Sequence, residues 1–509
     1  MAALLQLNDR DNVRIALQKM PAGAEVEGLR ILDEIPSGHK VAIQQIEKDA
    51  AIVKYGQVIG FASEPIGPGQ HVHSHNVMVH TFEREHNFGS RARGTDFVEN
   101  PATFEGFHRE DGRVGTRNYV GILTSVNCSA TVAKAIAAAF SDEMVRSEFP
   151  NVDGVVAFTH GTGCGQNIDG QGLAMLRRVI SGYAVHPNIG GALILGLGCE
   201  VNQVPALLEN QGLSHSNRLK TGTIQESGGT RKTIERGIGM VKELLQEANR
   251  SERKTAKAEH LSLSLQCGGS DGYSGITANP SLGAAADLLV RHGGSAVLSE
   301  TPEVYGAEHL LTSRAVRPEV GEKLLERIRW WEEYTARNGG EMNNNPSPGN
   351  KAGGLTTILE KSLGAVAKGG TSDMVAVYEY AERQTTRGFA FMDSPGYDPV
   401  SVTGQVASGC NLVCFTTGRG SVYGCKPAPS LKLATNTPMF QRMEEDMDIN
   451  CGLIVDGQSS VQELGEKIFN RLLEVASGSP TKSESLGFGD NEFLPWKIGA
   501  VIKNKPHTF

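Results

Sequence analysis

The sequence predicts an α/β protein built from a small β-rich N-terminal module and two larger α/β domains. Three observations support this fold class. The 509-residue length exceeds that of one ordinary domain. The first part of the chain alternates short apolar runs with turn residues. From Tyr119 onward, continuous apolar runs alternate with helical patterns, as in parallel sheets that helices cover on both faces.

Composition and charge exclude several other classes. Glycine supplies 61 of 509 residues, but neither a three-residue glycine period nor a sustained heptad occurs, which excludes collagen and coiled coil. A net charge of −8 argues against nucleic-acid or membrane-surface partners. The N-terminus lacks the pattern of a signal peptide, and no apolar run is long enough to span a membrane. We therefore expect a cytoplasmic protein whose eight cysteines remain thiols.

The β-rich module is predicted over residues 1–88, with a linker over 89–105. Near its end, His71, His73 and His75 alternate, which on a strand places all three on one face. Imidazoles arranged in this way suit a metal or a proton-transfer site. The alternative is a solvated polar face of the strand.

The second domain, predicted over residues 106–255, repeats a strand, a loop and a helix, which indicates a doubly wound parallel sheet. Its strands are predicted at 119–126, 153–160 and 191–197, and its helices at 130–140, 172–180, 201–208 and 232–249. Residues 256–509 form a C-terminal α/β domain. Its strands are predicted at 261–265, 296–299 and 412–416, and its helices at 318–337 and 461–476.

Each predicted strand of the second domain leads into a loop that contains a cysteine. Cys128, Cys164 and Cys199 lie 36 and 35 residues apart, about one βα unit each. Because such loops emerge at the carboxyl edge of a parallel sheet, the thiols are expected to converge, with Cys267 as a fourth candidate. They suit a soft metal or an iron-sulfur cluster, although each cysteine is also compatible with a small apolar residue in a tight turn. His160 shares the loop of Cys164 and is a candidate general base.

Three polar loops are suited to anions and hydroxyl groups. The loop over 345–354 places amide and ammonium donors at a predicted helix start, where free N–H groups favour a carboxylate. The loop over 416–424 carries an arginine able to hold a carboxylate at two points, and the loop over 111–118 adds two more. Each loop alone is also compatible with an ordinary surface turn. The candidate residues are Asn350, Lys351, Arg419, Tyr423, Arg113 and Arg117.

Several familiar signatures do not occur in a supporting context. The first βα loop lacks Gly-x-Gly-x-x-Gly, and no Walker lysine motif is present, so nucleotide binding is disfavoured. Residues 268–272 match Gly-x-Ser-x-Gly, but no clear helix is predicted directly after them, so a nucleophile elbow is not expected. His-Glu-x-x-His is absent.

Eight sequence blocks, in colinear order over essentially the whole chain, resemble the altronate and galactarate dehydratase family. Three of them are His71-Val-His-Ser-His-Asn76, Gln266-Cys-Gly-Gly-Ser-Asp271 and Asn345-Pro-Ser-Pro-Gly-Asn-Lys351. The other five lie at residues 54–60, 111–118, 196–200, 275–280 and 417–420.

The resemblance implies a SAF-like N-terminal module, a Rossmann-like second domain and an Fe²⁺-dependent dehydration of a six-carbon sugar acid. An iron-sulfur cluster is the alternative cofactor. The His71 to His75 run looks like the altronate branch, which implies conversion of D-altronate to 2-keto-3-deoxy-D-gluconate. The alternatives are a galactarate dehydratase giving 5-dehydro-4-deoxy-D-glucarate and a sugar-acid sensor without catalysis. We also expect a homo-oligomer, a dimer.

The hypothesis for the reaction is elimination of water from a 2,3-dihydroxy acid through an enediolate. Because the C2 proton is poorly acidic, the enzyme must stabilise the developing enediolate, and a metal bound to the carboxylate and hydroxyl oxygens can supply part of that stabilisation. The candidate catalytic residues are His160, Lys351 and Tyr423. The candidate substrate-binding residues are Arg113, Arg117, Ser270, Asp271, Asn350, Lys351 and Arg419. The candidate metal ligands are Cys128, Cys164, Cys199, Cys267, His71, His73 and His75.

Overall fold

The structure is a computed structural model that describes residues 3–80 and 86–499. It shows a mixed α/β protein with an N-terminal β module and a large parallel sheet in the C-terminal part, as predicted. Residues 1–2, 81–85 and 500–509, which the predicted domains include, lie outside the described residues. Within the described ranges, no helix combines the length and the apolar character that crossing a membrane requires.

The N-terminal module consists of short antiparallel strands. They form a four-stranded sheet in the order β1-β2-β5-β8, a three-stranded sheet β6-β7-β9 and the hairpin β3-β4. The strands are β1 (Leu4–Leu5), β2 (Val13–Ala16), β3 (Glu25–Val26), β4 (Leu29–Arg30), β5 (Lys40–Ala42), β6 (Ala51–Lys54), β7 (Gln57–Ala62), β8 (His71–Val72) and β9 (Val77–Met78).

The prediction that a strand carries all three alternating histidines is wrong. Strand β8 ends at Val72, and the chain then turns, with the N–H of Asn76 donating to the carbonyl oxygen of His73 at 3.0 Å. The Asn76 side chain closes the same turn, because its Oδ1 accepts from the N–H of His73 at 3.0 Å. The histidines are therefore brought together by a turn and not by strand alternation.

The second domain has four parallel strands in the order β13-β12-β14-β15. Helices α1 and α5 pack on one face of this sheet, and α3 packs on the other. The strands are β10 (Thr103–His108), β11 (Val114–Gly115), β12 (Tyr119–Thr124), β13 (Gly154–Phe158), β14 (Ile189–Gly196), β15 (Leu219–Thr223) and β16 (Arg253–Lys257). The helices are α1 (Ala130–Ala137), α2 (Asp142–Glu148), α3 (Gln171–Ala184), α4 (Val204–Asn210) and α5 (Thr230–Ala248).

Strands β11, β10 and β16 form a separate antiparallel sheet. Because β10 begins at Thr103, the last three residues of the predicted linker are part of a strand.

The C-terminal domain is built on seven parallel strands in the order β19-β20-β18-β17-β21-β22-β23. The strands are β17 (Ser262–Cys267), β18 (Ser295–Leu298), β19 (Met374–Tyr378), β20 (Phe389–Met392), β21 (Leu412–Thr417), β22 (Ser430–Ala434) and β23 (Ile449–Asn450). The helices are α6 (Ala278–Arg291), α7 (Glu308–Thr312), α8 (Pro318–Arg337), α9 (Pro348–Ala352), α10 (Ile358–Val366), α11 (Asp398–Ser408), α12 (Thr437–Arg442), α13 (Val461–Ala476) and α14 (Lys482–Ser485).

Two of these helices have the predicted bounds, for identifiable local reasons. Pro318 occupies the first turn of α8, where no backbone N–H is needed. Ser460 and Glu463 form a reciprocal cap at the start of α13. One prediction is wrong: the segment after Gly275 does contain a helix, because α6 begins at Ala278.

The N-terminal module packs on the carboxyl edge of the seven-stranded sheet. A Cβ atom on Gly272 would lie 2.1 Å from the carbonyl oxygen of Gly38, so only glycine allows the two backbones to approach this closely. The N–H of Gly272 also donates to the carbonyl oxygen of Gly353 at 2.7 Å. Three loops, one of them from the module, therefore meet at this edge.

Candidate active site

Asp271 lies at the centre of this meeting point. Its buried carboxylate accepts hydrogen bonds from the side chains of Ser274, Thr435 and Asn436 at 3.0 Å each and from the N–H of Tyr273 at 3.1 Å. Burial raises the pKa of Asp271, although these donors act in the opposite direction. The carboxylate therefore ties loops of the C-terminal domain together instead of facing an open site.

Two loops that each carry a cation flank Asp271. A Cβ atom on Gly353, two residues after Lys351, would lie 2.9 Å from Asp271 Cβ. On the other side, a Cβ atom on Gly418, next to Arg419, would lie 2.1 Å from Asp271 Cγ. Within the described residues, no carboxylate pairs with Lys351 or Arg419. The loops therefore present two positive charges that are available to an anion.

Asn350 links two of these loops. Its Nδ2 donates to the carbonyl oxygen of Ser270 at 2.8 Å, and its Oδ1 accepts from the N–H of Ser347 at 3.0 Å. Ser347 in turn caps the five-residue helix α9 through the N–H of Asn350. The Ser347 side chain thus takes up the helix-start N–H group that was expected to bind a carboxylate. Asn350 fixes the position of the loop that carries Lys351.

A cluster of four histidines covers the same edge. The rings of His71 and His73 stack with centroids 5.3 Å apart, and the ring of His75 lies 5.5 Å from that of His71. His39, which the sequence did not single out, stacks on His73 at 4.9 Å. We call these four residues the histidine cluster. The nitrogens of His71, His73 and His75 do not all lie within 4.8 Å of one another, so they do not form a compact three-ligand metal group.

Hydrogen bonds determine which nitrogen of each ring carries the proton. His39 Nε2 donates to the carbonyl oxygen of Ala352 at 3.3 Å, so its Nδ1 accepts from His71 Nε2 at 3.0 Å. This assignment leaves the Nδ1 lone pair of His71 open. His73 Nε2 donates to the carbonyl oxygen of Lys351 at 2.9 Å, which ties the cluster to the loop that carries this cation.

Three rings of the histidine cluster have a pKa below the ordinary value for histidine, which favours their neutral form. Burial, together with the neighbouring His73 and Lys40, lowers the pKa of His39 to about 4, although the hydrogen bond to the Ala352 carbonyl oxygen acts in the opposite direction. Burial and the adjacent histidines lower the pKa of His71 to about 3. Burial also lowers the pKa of His73. Neutral imidazoles are able to accept a proton or to bind a metal.

A buried charge group fixes the module to the C-terminal domain. Glu360 on α10 accepts from Lys40 Nζ at 2.9 Å and from Lys54 Nζ at 2.9 Å, and all three side chains are almost fully buried. Its Oε2 also accepts from the hydroxyl of Thr356 at 2.7 Å. Burial alone would raise the pKa of Glu360, but the two lysines outweigh it, and the pKa lies far below its ordinary value. We call these three charged residues the docking triad.

A second buried group combines a thiol with two carboxylates. Cys267, Glu300 and Glu303 each place one sulfur or oxygen atom within 4.8 Å of those of the other two. Among the described residues, no other three His, Cys, Asp or Glu side chains are this close together. Both carboxylate oxygens of Glu300 are buried and have no hydrogen-bond partner. The backbone of Glu300 is left-handed, with φ of 72°. Lys368 Nζ lies 2.9 Å from Cys267 Sγ, and Lys361 Nζ lies 2.6 Å from Glu303 Oε1.

Burial and the repulsion of Glu303 raise the pKa of Glu300 well above its ordinary value, so the net charge of this group depends on which members are ionised. When ionised, it has four negative charges, including Asp398, and two positive charges from the lysines. Burial raises the pKa of Cys267 to about 11 and, with the repulsion of Glu303, raises that of Asp398 to about 6. A divalent cation would balance the charge of the fully ionised group and would add a contact to the Glu300 carboxylate, whose Oε2 lies 3.7 Å from Lys368 Nζ and accepts no hydrogen bond. The thiol and carboxylate donors therefore fit a metal such as Fe²⁺.

The group of Cys267, Glu300 and Glu303 adjoins the loops around Asp271. A small cavity is lined by Cys267 and Lys361 on one side and by Ser270, Asp271 and Tyr55 on the other. The cavity therefore connects the module, through Tyr55, with both parts of the site.

The structure does not bring all four predicted thiols together. Cys128, Cys164 and Cys199 are exposed on loops of the second-domain sheet, whereas Cys267 is buried at the end of β17 in the other parallel sheet. His160 is buried, and both of its ring nitrogens have partners: Nε2 donates to the carbonyl oxygen of Thr124 at 2.8 Å, and Nδ1 accepts from an N–H at 3.3 Å. No nitrogen is left for a substrate proton, so we do not assign the base to His160.

The arginines of the 111–118 loop lie at the opposite end of the second-domain sheet. Arg117 is buried in a two-point ion pair with Glu484, at 2.7 and 2.9 Å, and donates to backbone carbonyls. Arg113 pairs with Asp111 at 2.6 Å. Neither arginine reaches the loops around Asp271. Both are held by protein carboxylates, so we do not assign them to substrate binding.

Tyr423 lies in the apolar core. Its ring stacks on that of Phe415 with centroids 4.9 Å apart, and burial raises the pKa of its hydroxyl well above the ordinary value. This hydroxyl has no hydrogen-bond partner among the described residues. The geometry therefore does not support a catalytic role for Tyr423.

The fold and the site define a multidomain α/β protein in which the loops that carry Lys351 and Arg419 lie where an N-terminal β module packs on a parallel sheet. Family models match the three parts in order: the altronate/galactarate dehydratase SAF domain at residues 2–80, the second domain of D-galactarate dehydratase/altronate hydrolase at 106–249, and the C-terminal part of D-galactarate/altronate dehydratase at 258–501. The chain belongs to the altronate and galactarate dehydratase family.

Similar curated proteins match over nearly their whole length. The altronate dehydratase of Bacillus subtilis (strain 168) is 35% identical over 507 residues, covering 99% of this chain and 100% of the relative. The galactarate dehydratase (L-threo-forming) of Escherichia coli (strain K12) is 38% identical over 492 residues, covering 94% and 93%. The altronate dehydratase of the same organism is 35% identical over 507 residues, covering 98% and 99%.

Proposed function

We propose that this protein is a hydro-lyase that removes water from a six-carbon sugar acid, with D-altronate as the first candidate substrate. The observation that carries the proposal is the pair of available cations, Lys351 and Arg419, on loops that flank Asp271 beside the histidine cluster. A sugar acid brings a carboxylate for these cations and hydroxyl groups for the polar loops. The names of the relatives support the same class of reaction.

Each residue has a role that follows from its contacts. Lys351 and Arg419 hold the substrate carboxylate, while Asn350 and Asp271 are positioning residues that fix the two loops. His71 accepts the C2 proton, because its Nδ1 carries the lone pair that the hydrogen bonds of the cluster leave open. An adjacent substrate carboxylate increases the proton affinity of this ring.

The protons balance within the site. The C2 proton moves to the imidazole, and the protonated cluster returns a proton to the C3 hydroxyl as that group leaves as water. The resulting enol becomes a 2-keto-3-deoxy acid. No oxidant or reductant is consumed.

Fe²⁺ is the cofactor that we propose, held by Cys267, Glu300 and Glu303. The support is the compact donor set and the buried Glu300 carboxylate without a hydrogen-bond partner. When bound, such an ion polarises substrate oxygens and stabilises the negative charge that develops when the C2 proton leaves.

Galactarate is the second candidate substrate, because Lys351 and Arg419 could bind either one carboxylate or two. If Lys351 and Arg419 bind one carboxylate together, they select an acid with a single carboxylate, such as altronate. If each binds its own carboxylate, they select a dicarboxylate, such as galactarate.

The test is product formation by anaerobically purified protein supplied with ferrous iron. Altronate, galactarate, mannonate and glucarate are offered separately, and the new methylene group of the 3-deoxy product is followed by NMR. Lys351→Met and Arg419→Gln are expected to raise KM by about tenfold to a hundredfold, the effect of losing one charged hydrogen bond. If altronate is the substrate, both variants lose affinity for it. Protein that binds an acid without releasing product would instead support the sensor alternative.

Two matched variants control for general loss of positive charge. Lys242→Met and Arg231→Gln remove exposed cations from helix α5 of the second domain, away from the Asp271 loops. We expect both to retain the wild-type KM.

A further inference from the structure

We propose that Cys128, Cys164 and Cys199 bind an iron-sulfur cluster at the carboxyl edge of the second-domain sheet. This site is distinct from the Cys267 group and goes beyond the proposed dehydration. The inference stands on loop geometry, on the exposure of these thiols and on the spacing of their sulfur atoms.

Loop geometry brings the three cysteines to one place. Strand β12 lies between β13 and β14, so the loop of Cys128 is flanked by the other two. The N–H of Asn127 donates to the carbonyl oxygen of Thr162 at 2.9 Å. On the other side, the hydroxyl of Ser125 donates to Glu200, next to Cys199, at 2.6 Å.

The loop of Cys164 approaches the first loop as closely as backbone allows. A Cβ atom on Gly163 would lie 2.2 Å from the carbonyl oxygen of Ser125, and Gly163 has a φ of 97°. The carbonyl oxygen of Gly163 also accepts from the N–H of Asn202, in the loop of Cys199, at 3.0 Å. Glycine is required here because a side chain would push the loops apart.

The exposure of these thiols sets them apart from the other cysteines of the chain. Cys128, Cys164 and Cys199 are exposed, whereas all five remaining cysteines are buried in the C-terminal domain. Free cysteine is normally among the most buried residue types, so three exposed thiols on adjoining loops call for a ligand. The small apolar residue of a tight turn, the alternative reading of each position, would not be exposed.

The positions of the three sulfurs do not fit a single metal ion. Tetrahedral bonds of about 2.3 Å to one metal place thiolate sulfurs about 3.8 Å apart. The three sulfurs do not all lie within 4.8 Å of one another. An iron-sulfur cluster spaces its cysteines more widely because each thiolate binds a different iron.

The surroundings suit an anionic cluster. Gly163, Gly165 and Gly198 have positive φ, a conformation in which successive N–H groups form concave anion sites. Gln225 Nε2 donates to Cys199 Sγ at 3.4 Å, and hydrogen bonds to sulfur stabilise cluster thiolates. Gly161 belongs to the loop of Cys164, and the positively charged Lys497 Nζ lies next to it. His160 serves here as a positioning residue, because it joins the end of β12 to this loop.

Three thiolates leave one iron of a four-iron cluster without a cysteine. The remaining cysteines are buried in the other domain and do not reach this edge. A four-iron cluster held by these three thiolates would keep one iron free to bind water or a small oxygen ligand.

The test is anaerobic reconstitution of the full chain with ferrous iron, sulfide and a thiol reductant. After unbound iron is removed, iron and acid-labile sulfide are counted, and the absorption near 400 nm and the EPR spectrum after reduction are recorded. We expect about four sulfides per chain. Cys164→Ser is expected to lose the sulfide and the absorption, whereas Cys451→Ala, which removes a buried thiol elsewhere, should retain both.

A second measurement does not depend on whether a variant folds. Wild-type protein is alkylated before and after reconstitution, and the modified cysteines are located by peptide mass. Cys128, Cys164 and Cys199 are expected to react at least tenfold more slowly after reconstitution. The proposal is overturned if iron is taken up without sulfide, or if the three alkylation rates do not change. Dehydration by protein loaded with iron alone is measured separately, so failure of the proposed function is distinguished from failure of this proposal.

Discussion

Removal of the Glu360 charge is expected to loosen the N-terminal module from the C-terminal domain. Glu360→Gln keeps the size of the side chain but leaves Lys40 and Lys54 as buried ammonium groups without a counter-charge. Both lysines lie on strands of the module, whereas Glu360 lies on α10 of the other domain. The damage should therefore be concentrated at this junction.

The magnitude follows from two estimates. Removing one partner of a buried ion pair destabilises a protein by about 3–5 kcal/mol. A buried lysine without a counter-charge can instead lose its proton, which for a lysine of ordinary pKa costs about 5 kcal/mol at pH 7. This cost is the upper bound of the destabilisation. Lys40 is the group that yields, because burial already lowers its pKa to about 8. We expect a loss of about 4 kcal/mol at the junction.

Hydrogen exchange measured by mass spectrometry tests this prediction. Amides in β5, β6 and α10 are expected to exchange at least a hundredfold faster in Glu360→Gln, while those of the second-domain sheet stay unchanged. Glu243→Gln, which breaks an exposed ion pair with Lys220, is the control and should have little effect. The triple variant Lys40→Met, Lys54→Met, Glu360→Leu should recover most of the loss. Junction exchange within twofold of wild type in Glu360→Gln would refute the reasoning.

Four further predictions concern acid stability, the base, the metal and loop contact. The pKa of Glu360 in the folded protein lies below its ordinary value of 4.5, so the stability that its charge contributes is present above pH 4.5 and is lost as the pH falls further. The thermal midpoint of Glu360→Gln should therefore fall less steeply between pH 5 and pH 3 than that of wild type. His160→Gln should keep kcat within about threefold of wild type, because both ring nitrogens of His160 form hydrogen bonds with backbone groups. A decrease in kcat of more than about a hundredfold, with the iron content unchanged, would instead identify His160 as the general base. Glu300→Gln should weaken iron binding at least about tenfold in competition with a chelator, and unchanged binding would remove it from the ligand set. Gly272→Ala should destabilise the junction by about 1–3 kcal/mol, measured by urea-dependent hydrogen exchange, because its Cβ would meet Gly38; an unaffected junction would contradict the close contact.

Elements with strong local signals were predictable from the sequence. The helix from Pro318 to Arg337 begins at a proline, and the helix from Val461 to Ala476 begins at a reciprocal cap, so their bounds follow from local chemistry. The loops of Cys128, Cys164 and Cys199 follow parallel strands, and the topology rule predicted their common edge.

Contacts between residues distant in the chain were not predictable in this way. His39 joins the histidine cluster because β5 pairs with β8, and it stands 32 residues from His71. Arg117 appeared available until the fold paired it with Glu484, 367 residues away. Glu300 carries no sequence motif, and its importance depends on burial without a hydrogen-bond partner. Its left-handed backbone is a signal that only the structure reveals.

The central claim is dehydration of a sugar acid at the loops where the N-terminal module meets the C-terminal sheet. The most direct measurement is the rate of 2-keto-3-deoxy acid formation from altronate and from galactarate by iron-loaded wild type, Arg419→Gln and Arg231→Gln. We predict turnover of one of the two acids by wild type and by Arg231→Gln, with KM raised about tenfold or more in Arg419→Gln. Binding of both acids without product, or equal kinetics in all three proteins, would contradict the claim.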